Sequence, residues 1–246
     1  MERLQAEYTE VWCPTPVVPL IQFADRVEAI VNTGLDAVGI PCYQPPASVV
    51  ERLRGFDQIV SWYGTNRESF QEAVFRLGLP FEFRPALPLG DQVHAVDFFL
   101  RDEASQAYPR LLFDATREQR VVIHPFSGGA RKNWPLERFR AVASGLPLPV
   151  AWSAGPEEYL AEAQRFDRLD EMARWLASAT LYIGNDSGIT HLAAAVGTPV
   201  IALFGASNPH VWAPRGPHVR VIAANTLEAI SVDTVLEEAH QLLASL

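Results

Sequence analysis

Short apolar runs alternate along this chain with longer stretches in which apolar side chains recur every third or fourth position, the signature of strands alternating with amphipathic helices. In the first half, TEVWCP (9–14), RVEAIV and DQIVSWYG read as strands and FEFRPALP as extended chain. ASVVERLRGF and RESFQEAVFRLG (67–78) read as helices, and PVVPLIQFA as helix or loop. QVHAVDFFLRDEA (92–104) has helical spacing, whereas SQAYPRLLFDATREQR (105–120) is less apolar, charged and broken by a proline. That change of character places a domain boundary there, giving domains 1–116 and 117–246. From 121 the alternation restarts: VVIHP strand, PLERFRAVASGL helix, PVAWSAG strand, PEEYLAEAQRF and LDEMARWLASA helices, TLYIG strand, GITHLAAAV helix, PVIALFG and HVRVIAA strands, and a closing helix VDTVLEEAHQLLASL. Strands separated by helices build parallel sheets covered on both faces. The pattern therefore predicts an α/β protein of two doubly wound units, with ligand at the carboxyl ends of the strands in the cleft between them.

Composition narrows the class. With 246 residues, 48% hydrophobic and 20% charged, the chain can bury a sizeable core. No stretch approaches the roughly 18–20 unbroken apolar residues that span a bilayer. The start, MERLQAEYTEVW, lacks a basic segment followed by an apolar one, so a cytoplasmic location is expected. Cys13 and Cys42 form neither a disulfide framework nor a metal-ligand cluster. The formal charge of −9 opposes nucleic-acid binding, which needs clustered Lys and Arg, so any polyanion must find a local site.

Two such sites suggest themselves. In VVIHPFSGGARKNWPLERF an apolar strand ends at His124, a Ser-Gly-Gly turn follows, and a helix begins at Pro135. Gly128 and Gly129 let backbone N–H groups come close to a phosphate, and Lys132 can place a point charge on it. Taken alone this also describes a plain turn; it has neither the spacing of a P-loop nor a Gly-x-Gly-x-x-Gly. In GNDSGITHLAAAVGTPVIALFG (184–205) a strand runs into Asn185-Asp186-Ser187-Gly188 and then a helix whose Ile189, Leu192, Ala193 and Val196 fall on one face. The unsatisfied N–H groups of that helix start, at the positive end of its dipole, form a second place for phosphate. Asp186 or Ser187 can equally be an N-cap and His191 a hydrogen-bonded helix histidine. A Ser187–His191 hydrolase is disfavoured, because Gly-Asn-Asp-Ser-Gly is not the Gly-x-Ser-x-Gly elbow.

IHPFSGGARKNWPLERF (123–139), GNDSGITHLAAAVGTPVIALFG (184–205) and NPHVWAPRG (208–216), taken together and in this order, closely resemble the ADP-heptose:lipopolysaccharide heptosyltransferase family. They carry its Lys-x-Trp-Pro and Asp-Ser-Gly-x-x-His-Leu-Ala-Ala-Ala elements. The first half shares only element order and echoes such as FDQIVSWYG and HAVDFFL. The resemblance implies a GT-B fold, two Rossmann-like domains facing across a cleft, and transfer of heptose from an ADP-sugar with inversion. It places Ser127, Gly128, Gly129 and Lys132 beside the diphosphate, with Lys132 offsetting leaving-group charge. It puts Asp186 at sugar hydroxyls, the Ser187 and Gly188 amides at phosphate, His191 in the same segment, and Glu157 at the nucleoside ribose. Trp134 is expected to pack and Trp212 to be structural.

The departing ADP gains negative charge, which fixed donors and an ammonium stabilise more as the bond breaks than before, so neither metal nor cofactor is expected. The chain has no Asp-x-Asp either. The implied partners are the nucleotide-sugar donor and a lipid-linked or other glycan acceptor, the latter bringing peripheral contact with the inner membrane. Family members open with an apolar strand and a Gly-Asp loop that supplies the general base. Here the first glycine is Gly34 and residue 1 already reads as the helix after that loop, which leaves the base unassigned and a gap at the centre of the first sheet. Gly90-Asp91, the sole Gly-Asp pair, does not follow a convincing strand. The alternative function is a nucleotide-sugar-binding protein impaired in transfer.

Overall fold

The computed structural model describes residues 6–88, 90, 92–101 and 107–246. The chain divides into two compact units, Met1–Leu89 and Gly90–Leu246. Two expectations lie outside the described residues: the helical placement of residue 1, and the part of the 92–104 helix beyond Arg101.

In the first unit, strand β1 (Glu10–Cys13) pairs in parallel with β2 (Arg26–Ala29), Val11 lying opposite Val27. The strand expected over RVEAIV stops at Ala29, because its partner ends at Cys13 and a proline follows. Ile30 instead opens a short helix, α1 (Ile30–Thr33), closed by Gly34 at φ +73°, a left-handed conformation that suits glycine. Helix α2 (Ala47–Arg54) leads to β3 (Ile59–Ser61), and α3 (Glu68–Arg76) to β4 (Phe81–Phe83), which pairs in parallel with β3. Both strand pairs pack on one core of Leu35, Val38, Val50, Leu53, Phe70 and Val74. Phe70 is fully buried and meets the edges of Tyr63, Phe81 and Phe83 at 5.3, 6.1 and 6.0 Å. Arg52 of α2 bridges Glu10 and Glu28, fastening the helix to β1 and β2. No ladder joins β1–β2 to β3–β4 among the described residues.

The second unit opens with helix α4 (Ala95–Leu100). It continues through β5 (Glu118–His124), α5 (Leu136–Gly145), β6 (Val150–Trp152), α6 (Leu169–Ala177), β7 (Ala179–Asn185) and α7 (Gly188–Ala195). It closes with β8 (Val200–Phe204), α8 (Pro209–Trp212), β9 (Val219–Ala223) and α9 (Val232–Ala244). The five strands form one parallel sheet in the order β6-β5-β7-β8-β9. β8 is buried along its whole length and β7 nearly so, as a sheet covered on both faces requires. One face packs on Trp134, Phe139 and Val142 and on Val235, Ala239 and Leu242 of α9. The sequence boundary is at 116/117, whereas the compact units divide near residue 89, since α4 is tied to the second unit by the Asp97–Arg215 ion pair.

Two expectations are corrected. PEEYLAEAQRF is not a helix. Its carbonyls are taken by a guanidinium instead of by amides four residues on: Arg165 donates to Glu158, Leu160 and Ala163. Gln164 meanwhile donates its backbone N–H to Trp152 at 2.8 Å, prolonging the edge of β6. Tertiary pairing overrides local helix propensity here. On α7, Leu192 and Ala193 are buried as expected, but the predicted Ile189 and Val196 are only partly so, and polar Thr190 is fully buried.

Candidate functional site

The order of the second sheet reverses between β5 and β7, the place where ligands bind in doubly wound sheets. These two strands are neighbours, His124 lying opposite Gly184, so the loops leaving their carboxyl ends emerge side by side. They are the two stretches singled out in the sequence. A pocket of about 390 Å³ opens between them, lined by Ser127, Gly128, Gly129, Lys132, Asp186, Ser187, Gly188 and His191. All eight were sequence candidates.

Each loop has a local reason for its shape. Lys132 closes a single 3-10 turn, Ala130–Lys132, by donating its N–H to Gly129 at 2.8 Å. Its Nζ lies 2.6 Å from Asp186 Oδ2, where Ser207 Oγ also donates, at 2.5 Å. Ser127 Oγ donates to the Asp186 carbonyl at 2.7 Å, joining the two loops. Ser187 is the N-cap of α7, its Oγ accepting from Thr190 N–H at 3.3 Å. Capping and anion binding are compatible, because the N–H groups of Gly188 and Ile189 still point out of the helix end. A side chain built at Gly128 or Gly188 would meet nothing within 4 Å, so backbone is bared to the pocket at both positions.

His191 stands in the open pocket. Desolvation lowers its pKa; Asp186 opposes this, while His94 and Lys132 add to it. His124, at the end of β5, is buried, and its pKa too is lowered chiefly by desolvation, against the pull of Glu158. Its Nδ1 faces the Ser153 carbonyl at 3.1 Å, and Nε2 lies 3.7 Å from Glu158 Oε2.

Glu157 does not line the pocket; it is exposed on its turn. The neighbouring Glu158 is the inward carboxylate, accepting the Gly155 N–H at 2.5 Å. Trp134 is buried, its Nε1 donating to the Ile230 carbonyl at 3.2 Å, and Trp212 is half-buried. Asp91, of the Gly90-Asp91 pair, lies outside the described residues. Among the described residues no group of three or more His, Cys, Asp or Glu gathers as metal ligands.

Asn185 was missed, and only its place before Asp186 could have flagged it. Fully buried, it accepts from Trp134 N–H at 3.1 Å and donates to the Pro125 carbonyl at 2.8 Å, bolting one loop to the other. Asn185→Ala strands both partners, which at ~1–3 kcal/mol for each unsatisfied buried group predicts a loss of at least ~2 kcal/mol in urea unfolding.

Residues 167–240, which carry β7, α7 and α8, match the model of glycosyltransferase family 9 (heptosyltransferase). Over these residues the chain is similar to that family. It is 38% identical over 195 residues to lipooligosaccharide heptosyltransferase 2 of Haemophilus influenzae, a match that takes in 68% of this chain and 56% of that protein. Among solved structures it resembles Escherichia coli ADP-heptose lps heptosyltransferase II, with a TM-score of 0.71 at 18% identity over 96% of this chain and 89% of that one. It also resembles the E. coli heptosyltransferase WaaC with ADP, with a TM-score of 0.63 at 19% identity over 92% and 88%. These likenesses identify the fold as GT-B. The chain spans about half the length, or less, of the curated relatives it matches.

Proposed function

We propose that this chain binds ADP-heptose in the pocket between the β5 and β7 loops and transfers the sugar, with inversion, to a lipopolysaccharide-core acceptor. The observation that carries the reading is the convergence of Lys132, the glycine turn and the α7 N-terminus on one open pocket at the strand switch point. A lysine and bared backbone amides are a site for a diphosphate. Lys132 pairs with Asp186; a diphosphate competes for the ammonium, freeing the carboxylate to accept hydrogen bonds from sugar hydroxyls. Ser187 and Gly188 present amides to phosphate, Ser127, Gly128 and Gly129 shape the opposite wall, and Glu157, exposed on its turn, is the carboxylate offered to a ribose. As ADP leaves it gains charge, and Lys132 acts most strongly at that moment. The same chemistry calls for no metal or cofactor.

That the relatives include a lipooligosaccharide heptosyltransferase and an ADP-heptose lps heptosyltransferase supports a heptose donor and a lipopolysaccharide-core acceptor. No helix among the described residues is long and apolar enough to cross a membrane. We place the reaction on the cytoplasmic side, where a lipid-linked acceptor brings the enzyme into peripheral contact with the inner membrane.

The test is binding followed by turnover. ADP at a hundred times its Kd should stabilise the fold by ~2.7 kcal/mol, seen as a raised melting temperature, with UDP and GDP weaker. ADP-heptose with a lipopolysaccharide-core acceptor should release ADP. No saturable stabilisation by ADP would overturn the reading.

A further inference from the structure

Ser207, on the loop after β8, does not line the pocket, yet its Oγ reaches Asp186 Oδ2 at 2.5 Å, the same oxygen that Lys132 Nζ meets at 2.6 Å. An ionised carboxylate only accepts, so the serine hydroxyl is the donor. Both bonds fall on Oδ2, and among the described residues none falls on Asp186 Oδ1. The two donors are mounted differently. Lys132 extends from the end of a single 3-10 turn on a flexible four-carbon stem. Ser207 lies on a short span held at both ends. On one side Gly205 is pressed against the chain at Thr226 and Leu227, where a side chain at 205 would come within 2.6 Å of the Leu227 nitrogen. On the other, Asn208 caps α8, its Oδ1 accepting the His210 N–H at 2.9 Å. The main chain of Asp186 is tied to β8 as well, its N–H donating to the Leu203 carbonyl at 3.0 Å.

We propose that Ser207 is a positioning residue for the sugar. When a diphosphate draws Lys132 away, Ser207 stays on Oδ2, so the carboxylate keeps its direction and presents Oδ1 to a hydroxyl of the transferred sugar. This rests on the nucleotide-sugar reading above, in which Asp186 meets the sugar. The Asp186 side chain is 9% exposed, and a carboxylate so far out of water needs a donor that remains when the ammonium leaves. A short hydroxyl on a fixed loop has little rotamer freedom to lose in that service. A serine that merely tied two loops together would act alike on nucleotide with and without sugar, whereas a positioning serine would not.

The test is calorimetry on the full chain with ADP and with ADP-heptose. In Ser207→Ala, ADP affinity should change by less than about twofold while ADP-heptose affinity falls about tenfold, the worth of one hydrogen bond to a charged group. Ser207→Thr, which keeps the hydroxyl, should restore most of that loss. Ser207→Cys, similar in size but a weaker donor, should show the same selective loss and serves if the alanine variant fails to fold. In an Asp186→Asn background, Ser207→Ala should cost no further ADP-heptose affinity, because both changes act on one contact. Equal losses for the two ligands, no loss for either, or a full additional loss in the Asp186→Asn background would overturn the proposal while leaving the nucleotide reading in place. If the unaltered chain binds neither ligand, the nucleotide reading itself falls and the role of Ser207 with it.

Discussion

Lys132→Ala should lower the rate of ADP release from ADP-heptose by about 10²–10³, the usual cost of removing one preorganised donor to developing charge. The loss should fall on kcat more than on KM, because the diphosphate is already charged in the bound donor and gains more only as the sugar departs. Steady-state assays of ADP release with a lipopolysaccharide-core acceptor separate the two. Stability should change little: the Lys132 side chain is 41% exposed, and an ion pair so placed contributes at most ~1 kcal/mol. Equal losses in kcat and affinity-driven KM would mean that the ammonium recognises the ground state alone. Lys132→Arg should rescue only in part, since a planar fork does not replace a compact ammonium on a turn this tight.

The largest effect on stability is expected from Trp134→Ala. Trp134 is 1% exposed, stands edge-on to Phe139 at 4.9 Å, and caps the Ile230 carbonyl. Truncating a buried Trp costs ~3–5 kcal/mol through lost transfer energy and the cavity left behind. Against a total of ~5–15 kcal/mol for a typical domain, that is a third or more of the margin. Urea unfolding followed by far-ultraviolet circular dichroism measures it without relying on the removed fluorophore. Because the Trp134 amide is also bonded to Asn185, some of the cost should reappear as weaker ADP binding. A loss below ~1 kcal/mol would show that the site collapses around the missing ring.

Much of the second unit was legible in the sequence for one reason: β5, β7 and β8 are buried apolar runs, and α5, α6 and α9 are amphipathic with clear ends, so local pattern and global fold agree. The pocket lining was legible because glycines, a lysine and a capped helix start fall directly after two such strands. Elsewhere the deciding contact is distant in sequence. PEEYLAEAQRF has helical composition, yet Arg165 and the β6 edge claim its backbone. Glu157 and Glu158 are the same residue type one position apart, and only the path of the turn says which faces inward. Asp97 and Arg215 are 118 positions apart, and no local periodicity connects them. Thr190 is buried although polar, because its hydroxyl donates to the Asn185 carbonyl and meets Tyr182 Oη at 3.0 Å.

That β5 and β7 are adjacent members of one ladder has a consequence for how such a site can diversify. Neighbouring strands lie ~4.8 Å apart whatever their side chains, so the gauge between the two pocket-lining loops belongs to the backbone. Substitutions in either loop can reshape the pocket while leaving that gauge untouched. The scaffold keeps the calliper, and the loops are free to change what it measures.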